Sequence, residues 1–388
     1  MTHATPAPRV FLDAAGHAPV HPQARAALLE AVDQGWADPR RLHAEGRRAR
    51  MLLDGARESI AAHLGTRPAE LRFAGSHVTA LHTAVRGVTR GRRRVGRDVV
   101  ASTVERAALL HAARFATTDG DAPGTVALIP VDRTGRVAVD QFLARLREDG
   151  VALAALQHAN GEVGTLQPVP DVHAAARESG VPLLVDAGSS VGHVPVSDAW
   201  DLLAADAGDW GAPVGLGLLA VRPRVRWSPD WPEDDDPWFP GGVSVPAALA
   251  AAVALDLARS DLSVEDAHRR ALVSRIRAEV PIRVPDVQVM GPDDARLPHV
   301  VTFSCLYVDG EALVTELDRA GFAVSSGSAC TSSALEPSHV LAAMGALTHG
   351  NIRITVPRGT DAAHVEHFLD VLPAAVATVR SALGVEGL

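Results

Sequence analysis

The chain of 388 residues contains no lysine, because all 37 of its basic residues are arginine. A GC-rich genome that favours arginine codons would explain a shortage of lysine. Lysine is among the commonest residues of proteins, however, so its complete absence is not expected from drift alone. Chemistry that needs the primary amine of a side chain is therefore excluded for this chain. Arginine cannot replace lysine there, because its pKa lies above ~12 and it is a poor nucleophile.

Other absences narrow the class of protein. The two cysteines, Cys305 and Cys330, show no Cys-x-x-Cys spacing, which excludes a disulfide framework and predicts a reduced, cytoplasmic setting. The sequence contains no run of 18 apolar residues, so we expect no membrane span. The N-terminal segment is polar, so we expect no signal peptide. The net charge of −9 provides no basic field for nucleic acid. The histidines lack metal-ligand spacing, so no metal site is predicted.

Helical and strand-like segments alternate along most of the chain, as in proteins with a mostly parallel sheet that is covered by helices. Apolar spacing predicts helices over 24–31, 47–64 and 246–257. Short apolar runs predict buried strands over 98–102, 126–130, 152–156, 182–186 and 215–221. We therefore expect a large α/β domain over 15–258. Residues 1–14 and 259–388 are expected to form a smaller α+β domain.

Five segments stand in a fixed order: FLDAAGHAPV (11–20), ADPRRLH (37–43), QHANGEVGTLQP (157–168), VDAGSSVG (185–192) and SSGSACTSSALEP (325–337). They resemble motifs of the cysteine desulfurases, and the resemblance runs from about Val10 to Val376. Those proteins are class V, fold-type I enzymes that hold pyridoxal phosphate as a Schiff base on a lysine. The resemblance implies a large domain with a mostly parallel sheet of the seven-stranded type, and a homodimer.

The same resemblance places the cofactor lysine of the family at Asp209. The serine and histidine that precede this lysine correspond to Asp206 and Gly208. The phosphate-binding threonines correspond to Val78 and, from the second subunit, to Val243. Two carboxylates facing a phosphate at ~4–6 Å would each cost on the order of 1–4 kcal/mol, so we expect poor anion binding. Ser76, His77 and Thr79 remain as alternative donors for a weak anion site.

The residues that would hold the cofactor ring are mostly replaced as well. Arg106 stands where the family has a stacking histidine, Gly161 where it has an asparagine, and Ser189 where it has a glutamine. Asp186, which would keep the pyridine nitrogen protonated, is retained. Among so many replaced positions, we favour the alternative that this buried carboxylate holds a strand end by hydrogen bonds. We predict a dismantled cofactor pocket, with no cofactor bound covalently.

The sulfur-handling end is retained. Cys330 lies in a polar loop, where a free cysteine is hard to explain as a packing residue. The alternative is an inherited, idle loop. Arg353 corresponds to the arginine that binds the carboxylate of the cysteine substrate, and its alternative is a structural ion pair. Cys305, within an apolar run, is predicted to be a packing residue.

Three hypotheses follow. The chain is an atypical sulfur relay, or a partner and regulator, that uses Cys330 without the cofactor lysine. It would then form a homodimer, or a heterodimer with an active cysteine desulfurase, and meet a sulfur donor or acceptor protein. Alternatively, it is an active desulfurase-like enzyme that binds pyridoxal phosphate or another ligand non-covalently. The third possibility is a purely structural interaction protein.

Overall fold

A computed structural model describes residues 9–118, 123–228, 242–327 and 337–385. Seven strands form the central sheet in the order β2-β8-β7-β6-β5-β3-β4. Their bounds are β2 Leu71–Ala74, β3 Asp98–Ser102, β4 Val126–Ile129, β5 Val151–Gln157, β6 Leu183–Asp186, β7 Leu202–Asp206 and β8 Gly217–Val221. Only β8 runs antiparallel to its neighbours β2 and β7, so the predicted mostly parallel sheet is confirmed.

The central sheet is buried on both faces, because its strands are continuous runs of small apolar residues. Consecutive residues of β3 point to opposite faces of the sheet, and Val99 and Val100 accordingly belong to two different apolar cores. One face is covered by α3 and α4, and the other by α2, α5, α6 and α7. The helices have the bounds α1 Pro22–Gln34, α2 Ala44–His63, α3 His77–Gly91, α4 Ala107–Thr118, α5 Val139–Leu146, α6 Val169–Glu178 and α7 Val245–Ser260.

A second lobe is built on an antiparallel sheet in the order β12-β10-β9. A separate apolar core joins this sheet to three long helices and to the short parallel pair β1-β11. The elements are β1 Val10–Phe11, α8 Leu262–Arg283, β9 Val287–Val289, β10 Val300–Cys305, α9 Gly310–Arg319, β11 Phe322–Ala323, α10 His339–Ala343, β12 Asn351–Thr355 and α11 Ala362–Ala382. The N-terminal strand β1 therefore pairs with β11 of the second lobe.

The predicted boundary at residue 258 falls in the last turn of α7, which packs on the large sheet through Leu255. The division into domains at this residue stays a proposal. Two strands of the central sheet, β2 and β7, have no counterpart among the predicted strands. Both are short, and β7 reads Leu-Leu-Ala-Ala-Asp, in which alanine and aspartate disfavour strand formation. No helix in the described parts of the chain is long and apolar enough to cross a membrane.

Candidate functional site

The carboxyl ends of the parallel strands place the predicted site residues together, as in other open α/β sheets. Asp186 is the last residue of β6, and Asp206 is the last residue of β7. A short 3₁₀ helix, Ala207–Trp210, follows β7 and carries Asp209. Arg106 lies directly before α4, at the end of the segment that follows β3. The crevice beyond the sheet thus holds three carboxylates and a guanidinium.

Asp186 is buried and engaged on both of its carboxylate oxygens. Its Oδ1 accepts a hydrogen bond from the backbone N–H of Gly188 and lies 2.9 Å from Nε2 of His77. Its Oδ2 accepts a hydrogen bond of 3.2 Å from Nε of Arg106. Burial alone would raise the pKa of Asp186, but the charges of His77 and Arg106 hold this pKa well below its ordinary value. The carboxylate is therefore ionised and already neutralised by protein groups.

Glycine is required at two positions around this cluster. A Cβ atom at Gly188 would lie 2.7 Å from the imidazole Cε1 of His77, so only glycine lets this ring approach Asp186. A Cβ atom at Gly161 would lie 2.5 Å from the hydroxyl oxygen of Ser189. That hydroxyl in turn accepts a hydrogen bond of 3.3 Å from Arg106. The replaced ring-holding positions thus form one packed network.

Asp206 and Asp209 both accept backbone hydrogen bonds. Asp206 Oδ1 accepts from the N–H of Gly208 and caps the 3₁₀ helix, while burial raises the pKa of this carboxyl group. Asp209 is 2 % exposed, and its Oδ1 accepts a hydrogen bond of 2.8 Å from the N–H of Gly16. Its Oδ2 lies 3.0 Å from Nε2 of His193. The residue at the lysine position is therefore fixed inside the protein.

The positions that correspond to the phosphate-binding threonines offer no hydroxyl donor. Val78 is 49 % exposed at the start of α3, so the buried residue at this turn is its neighbour His77. Ser76 accepts a hydrogen bond from the N–H of Thr79 and caps α3. Val243 is partly buried against the core of the large sheet.

At the second lobe, Arg353 lies in β12 and is buried. Its Nη2 donates a hydrogen bond of 3.3 Å to the hydroxyl of Ser325 and lies 3.5 Å from Asp13 Oδ1. Glu162 lies beside it, and burial raises the pKa of this carboxyl group to about 7. A Cβ atom at Gly327 would lie 2.2 Å from Glu162 Oε1. The predicted sulfur residue, Cys330, lies outside the described residues.

The other cysteine, Cys305, is buried at the end of β10, and burial raises the pKa of its thiol to about 12. It belongs to the apolar core of the second lobe. Such a thiol is not a nucleophile near neutral pH. Its surroundings agree with the packing role that the sequence predicts.

His193, Asp209 and His299 form a buried group whose potential ligand atoms lie within 4.8 Å of one another. A metal-bound imidazole carries its proton on the other nitrogen and donates it to an acceptor. Nδ1 of His193 instead faces a donor, Nη1 of Arg269, at 3.0 Å. The rings of His193 and His299 are also stacked, with centroids 3.9 Å apart, so their lone pairs do not converge. This group is not arranged as a metal centre.

The residues of this crevice can be compared with what the pyridoxal phosphate implied by the resemblance would require. The aspartate that would face the pyridine nitrogen is already bonded to His77 and Arg106. Asp209 lies where the resemblance places the lysine of the family, and the carboxylate of Asp206 adds a second negative charge that disfavours a bound phosphate. These residues do not fit a covalently held phosphate cofactor.

The sequence did not predict the contributions of His193, His299 and Arg269. A lone histidine is usually a satisfied core or surface residue, and nothing in the spacing of these three residues brings them together. His77, which the sequence offers as a donor for a weak anion site beside Val78, instead contacts Asp186.

Comparison with known proteins places the chain among relatives of similar length. The family model of aminotransferase class V matches residues 10–368. The cysteine desulfurase IscS of Dictyoglomus turgidum is 32% identical over 380 residues, covering 96% of this chain and 95% of that protein. The IscS-like cysteine desulfurase of Mycobacterium tuberculosis is 33% identical over 385 residues, covering 96% and 97%. A solved NifS-like protein has a TM-score of 0.87 at 24% identity, covering 95% of this chain and 100% of that one.

Proposed function

Since this chain belongs to the cysteine desulfurases of the class V aminotransferase family, we propose that it handles sulfur through Cys330 without a covalently bound cofactor. The family depends on pyridoxal phosphate, which supplies the electron sink for breaking the carbon–sulfur bond of cysteine. In this chain, we propose, sulfur arrives already mobilised by another protein. The protein is thus a relay, or a partner and regulator of an active desulfurase.

The observation that carries this proposal is the state of Asp209. The position corresponding to the lysine holds a carboxylate that accepts from Gly16 and contacts His193. No other position can supply the amine, because the chain has no lysine. An aspartate so placed cannot form an imine with an aldehyde, and freeing it would remove the acceptor of the part-buried N–H of Gly16.

The cluster around Asp186 supports the same conclusion. In the family, this aspartate is expected to keep a pyridine nitrogen protonated. Here Arg106 provides a positive charge, and Nε2 of His77 lies 2.9 Å from the same carboxylate. A pyridinium that entered would have to displace at least one of these contacts, at the cost of a buried, unpaired charge. Protein groups therefore take over the electrostatic role of the cofactor in stabilising the fold.

The proposed relay needs no cofactor, oxidant or reductant. The thiolate of Cys330 attacks the terminal sulfur of a persulfide on the donor protein. The sulfur–sulfur bond of the donor breaks, and the donor cysteine leaves as a thiolate. Cys330 then carries the persulfide, so one sulfur–sulfur bond has formed for the one that broke. This chemistry requires a free thiol, which is why we propose a reduced, cytoplasmic setting.

We propose a homodimer, or a heterodimer in which an active desulfurase is the second subunit and sulfur donor. A second function is favoured by the pair Glu162 and Arg353. Arg353 would bind the carboxylate of cysteine, and Glu162, whose pKa is raised to about 7, would act as the base that replaces lysine. This second candidate is an enzyme that holds its ligand non-covalently.

The two functions are separated by absorbance spectra of the purified protein, incubated with pyridoxal phosphate and then with L-cysteine. The relay predicts no cofactor band after desalting, together with persulfide transfer from an active desulfurase that Cys330→Ser abolishes. Cys305→Ser is the matched control and should leave transfer unchanged. A retained band that shifts with cysteine would establish the enzyme instead. Transfer that survives Cys330→Ser would contradict the relay.

A further inference from the structure

A cavity of about 190 Å³ lies between the two lobes, on the side of Asp209 that faces α7 and α8. Its walls are mostly apolar and include Pro19, Val20, Trp210 and Leu257. For comparison, an engineered apolar cavity of about 150 Å³ binds benzene. The cavity is therefore large enough for a small organic molecule, and Arg353 is not among the described residues that line it.

The charged groups of the cavity retain polar atoms that have no hydrogen-bond partner. Arg358 donates a hydrogen bond of 2.7 Å to Asp261, so these two charges cancel. Arg269 is fully buried, and the nearest carboxylate oxygen to it, Glu265 Oε2, lies 3.7 Å from its Nε. Nη2 of Arg269 has no hydrogen-bond partner. A buried guanidinium with a free N–H is costly unless an acceptor reaches it.

The opposite charge is offered by Asp209. Its Oδ2 is buried and receives no hydrogen bond, because Nε2 of His193 is directed to the backbone oxygen of Asp209 instead. The imidazole of His193 lies between the two charges, with Nε2 3.0 Å from Asp209 Oδ2 and Nδ1 3.0 Å from Arg269 Nη1. Burial lowers the pKa of His193, although the neighbouring Asp209 opposes this shift. The cavity thus holds one unsatisfied N–H of Arg269 and one unsatisfied carboxylate oxygen of Asp209, which are separated by a single imidazole ring.

His299 adds a further unsatisfied group. Its ring is stacked on His193, and its buried Nδ1 has no hydrogen-bond partner. Burial and the neighbouring His193 lower the pKa of His299 well below its ordinary value, so this ring is neutral. A neutral imidazole donates or accepts according to its tautomer, and it adds no net charge.

We propose that this cavity binds a small zwitterion, an α-amino acid with a short apolar side chain. Its carboxylate would accept from Arg269, its ammonium would donate to Asp209, and its side chain would lie against the apolar wall. A simple anion would leave Asp209 unsatisfied, and a simple cation would leave Arg269 unsatisfied. A zwitterion completes both without changing the net charge of the interior.

Isothermal titration calorimetry of the full-length Cys330→Ser protein tests this site separately from any sulfur chemistry. The probes are L-valine, isobutylamine, which lacks the carboxylate, and isovalerate, which lacks the ammonium. We expect L-valine to bind with one site per chain, and each analogue to bind at least tenfold more weakly. Arg269→Gln and Asp209→Asn should each weaken L-valine at least tenfold. The matched control Arg259→Gln, on α7 and away from the cavity, should not.

Isovalerate binding as tightly as L-valine would overturn the zwitterion in favour of an anion site, and no saturable heat with L-valine would also overturn it. Zn²⁺ alone, bound in a manner that Asp209→Asn abolishes, would overturn it in favour of a metal. If the charge variants fail to fold, Val20→Trp decides, because Val20 is 40 % exposed and lines the cavity. Loss of L-valine binding in that variant supports the site, and unchanged binding refutes it.

Discussion

Nε2 of His77 lies 2.9 Å from Oδ1 of Asp186, and both side chains are almost completely buried. The two residues come from different elements, the start of α3 and the end of β6. Gly188 makes the approach possible, because any side chain there would collide with the imidazole. This buried contact between His77 and Asp186 therefore joins the start of α3 to the end of β6.

His77→Ala should lower the free energy of unfolding by about 3 kcal/mol or more, because it leaves the buried carboxylate of Asp186 short of a partner. Arg106→Ala should cost less, about 1 kcal/mol, since its side chain is 38% exposed and water can replace it. Urea denaturation of both variants measures the difference. The structure indicates that the His77 contact is more deeply buried than the Arg106 contact. Equal losses of unfolding free energy in the two variants would contradict this difference.

Gly161→Ala should destabilise the protein by about 1–3 kcal/mol, because the new methyl group would lie 2.5 Å from the hydroxyl oxygen of Ser189. Ser189→Ala removes that oxygen and leaves the nearest contact, with the Cβ of residue 189, at 3.4 Å. The double variant should therefore be more stable than the sum of the single changes predicts. A double-mutant cycle by thermal unfolding checks this, and strict additivity would refute the contact.

Glu162 should make stability depend on pH near neutrality. Its folded pKa is raised to about 7, so the folded protein binds a proton that the unfolded chain has released above its ordinary pKa of about 4.3. Stability present below that ordinary value is therefore lost as the pH rises through about 7. The parent protein should therefore lose about 1–3 kcal/mol of unfolding free energy between pH 5 and pH 8, as linkage predicts, and Glu162→Gln should abolish this loss.

The control for Glu162→Gln is Glu178→Gln, at an exposed position on α6. This variant should follow the pH dependence of the parent protein. Denaturant midpoints measured across the pH range separate the two variants. A parent protein whose stability does not change with pH over this range would contradict the assignment.

Cys305 should resist alkylation in the folded protein, because burial raises its thiol pKa to about 12 and the thiolate is the reactive form. Mass spectrometry after iodoacetamide treatment at pH 8 should show modification of Cys330 alone. After unfolding in guanidinium, both cysteines should react. Native modification of Cys305 in the Cys330→Ser variant would show that its pocket opens.

The sequence predicts the fold well, because long apolar runs and helical spacing depend on local residues. Strands such as Asp98–Ser102 follow directly from continuous apolar composition. The short strand Leu202–Asp206 was not predicted because three of its five residues, two alanines and an aspartate, disfavour a strand, and only its pairing with β6 and β8 makes it one. Tertiary pairing of this kind cannot be read from one segment.

For the site, the sequence identifies positions but not their new partners. The replacement of lysine follows from the absence of lysine anywhere in the chain. The contacts of Asp209 cannot be predicted from the sequence, because Gly16 and His193 lie far from it along the chain. The same holds for Arg269, whose approach to His193 depends on how the two lobes pack.

The pairing of β1 with β11 has a consequence for synthesis. Val10 lies opposite Phe322, and Phe11 opposite Ala323, so the first strand leaves the ribosome long before its partner exists. The large sheet, whose strands end at Val221, can assemble during translation, but the second lobe must wait for nearly the whole chain. A truncated product that ends before residue 322 would therefore carry an unpaired N-terminal strand edge, available to other chains.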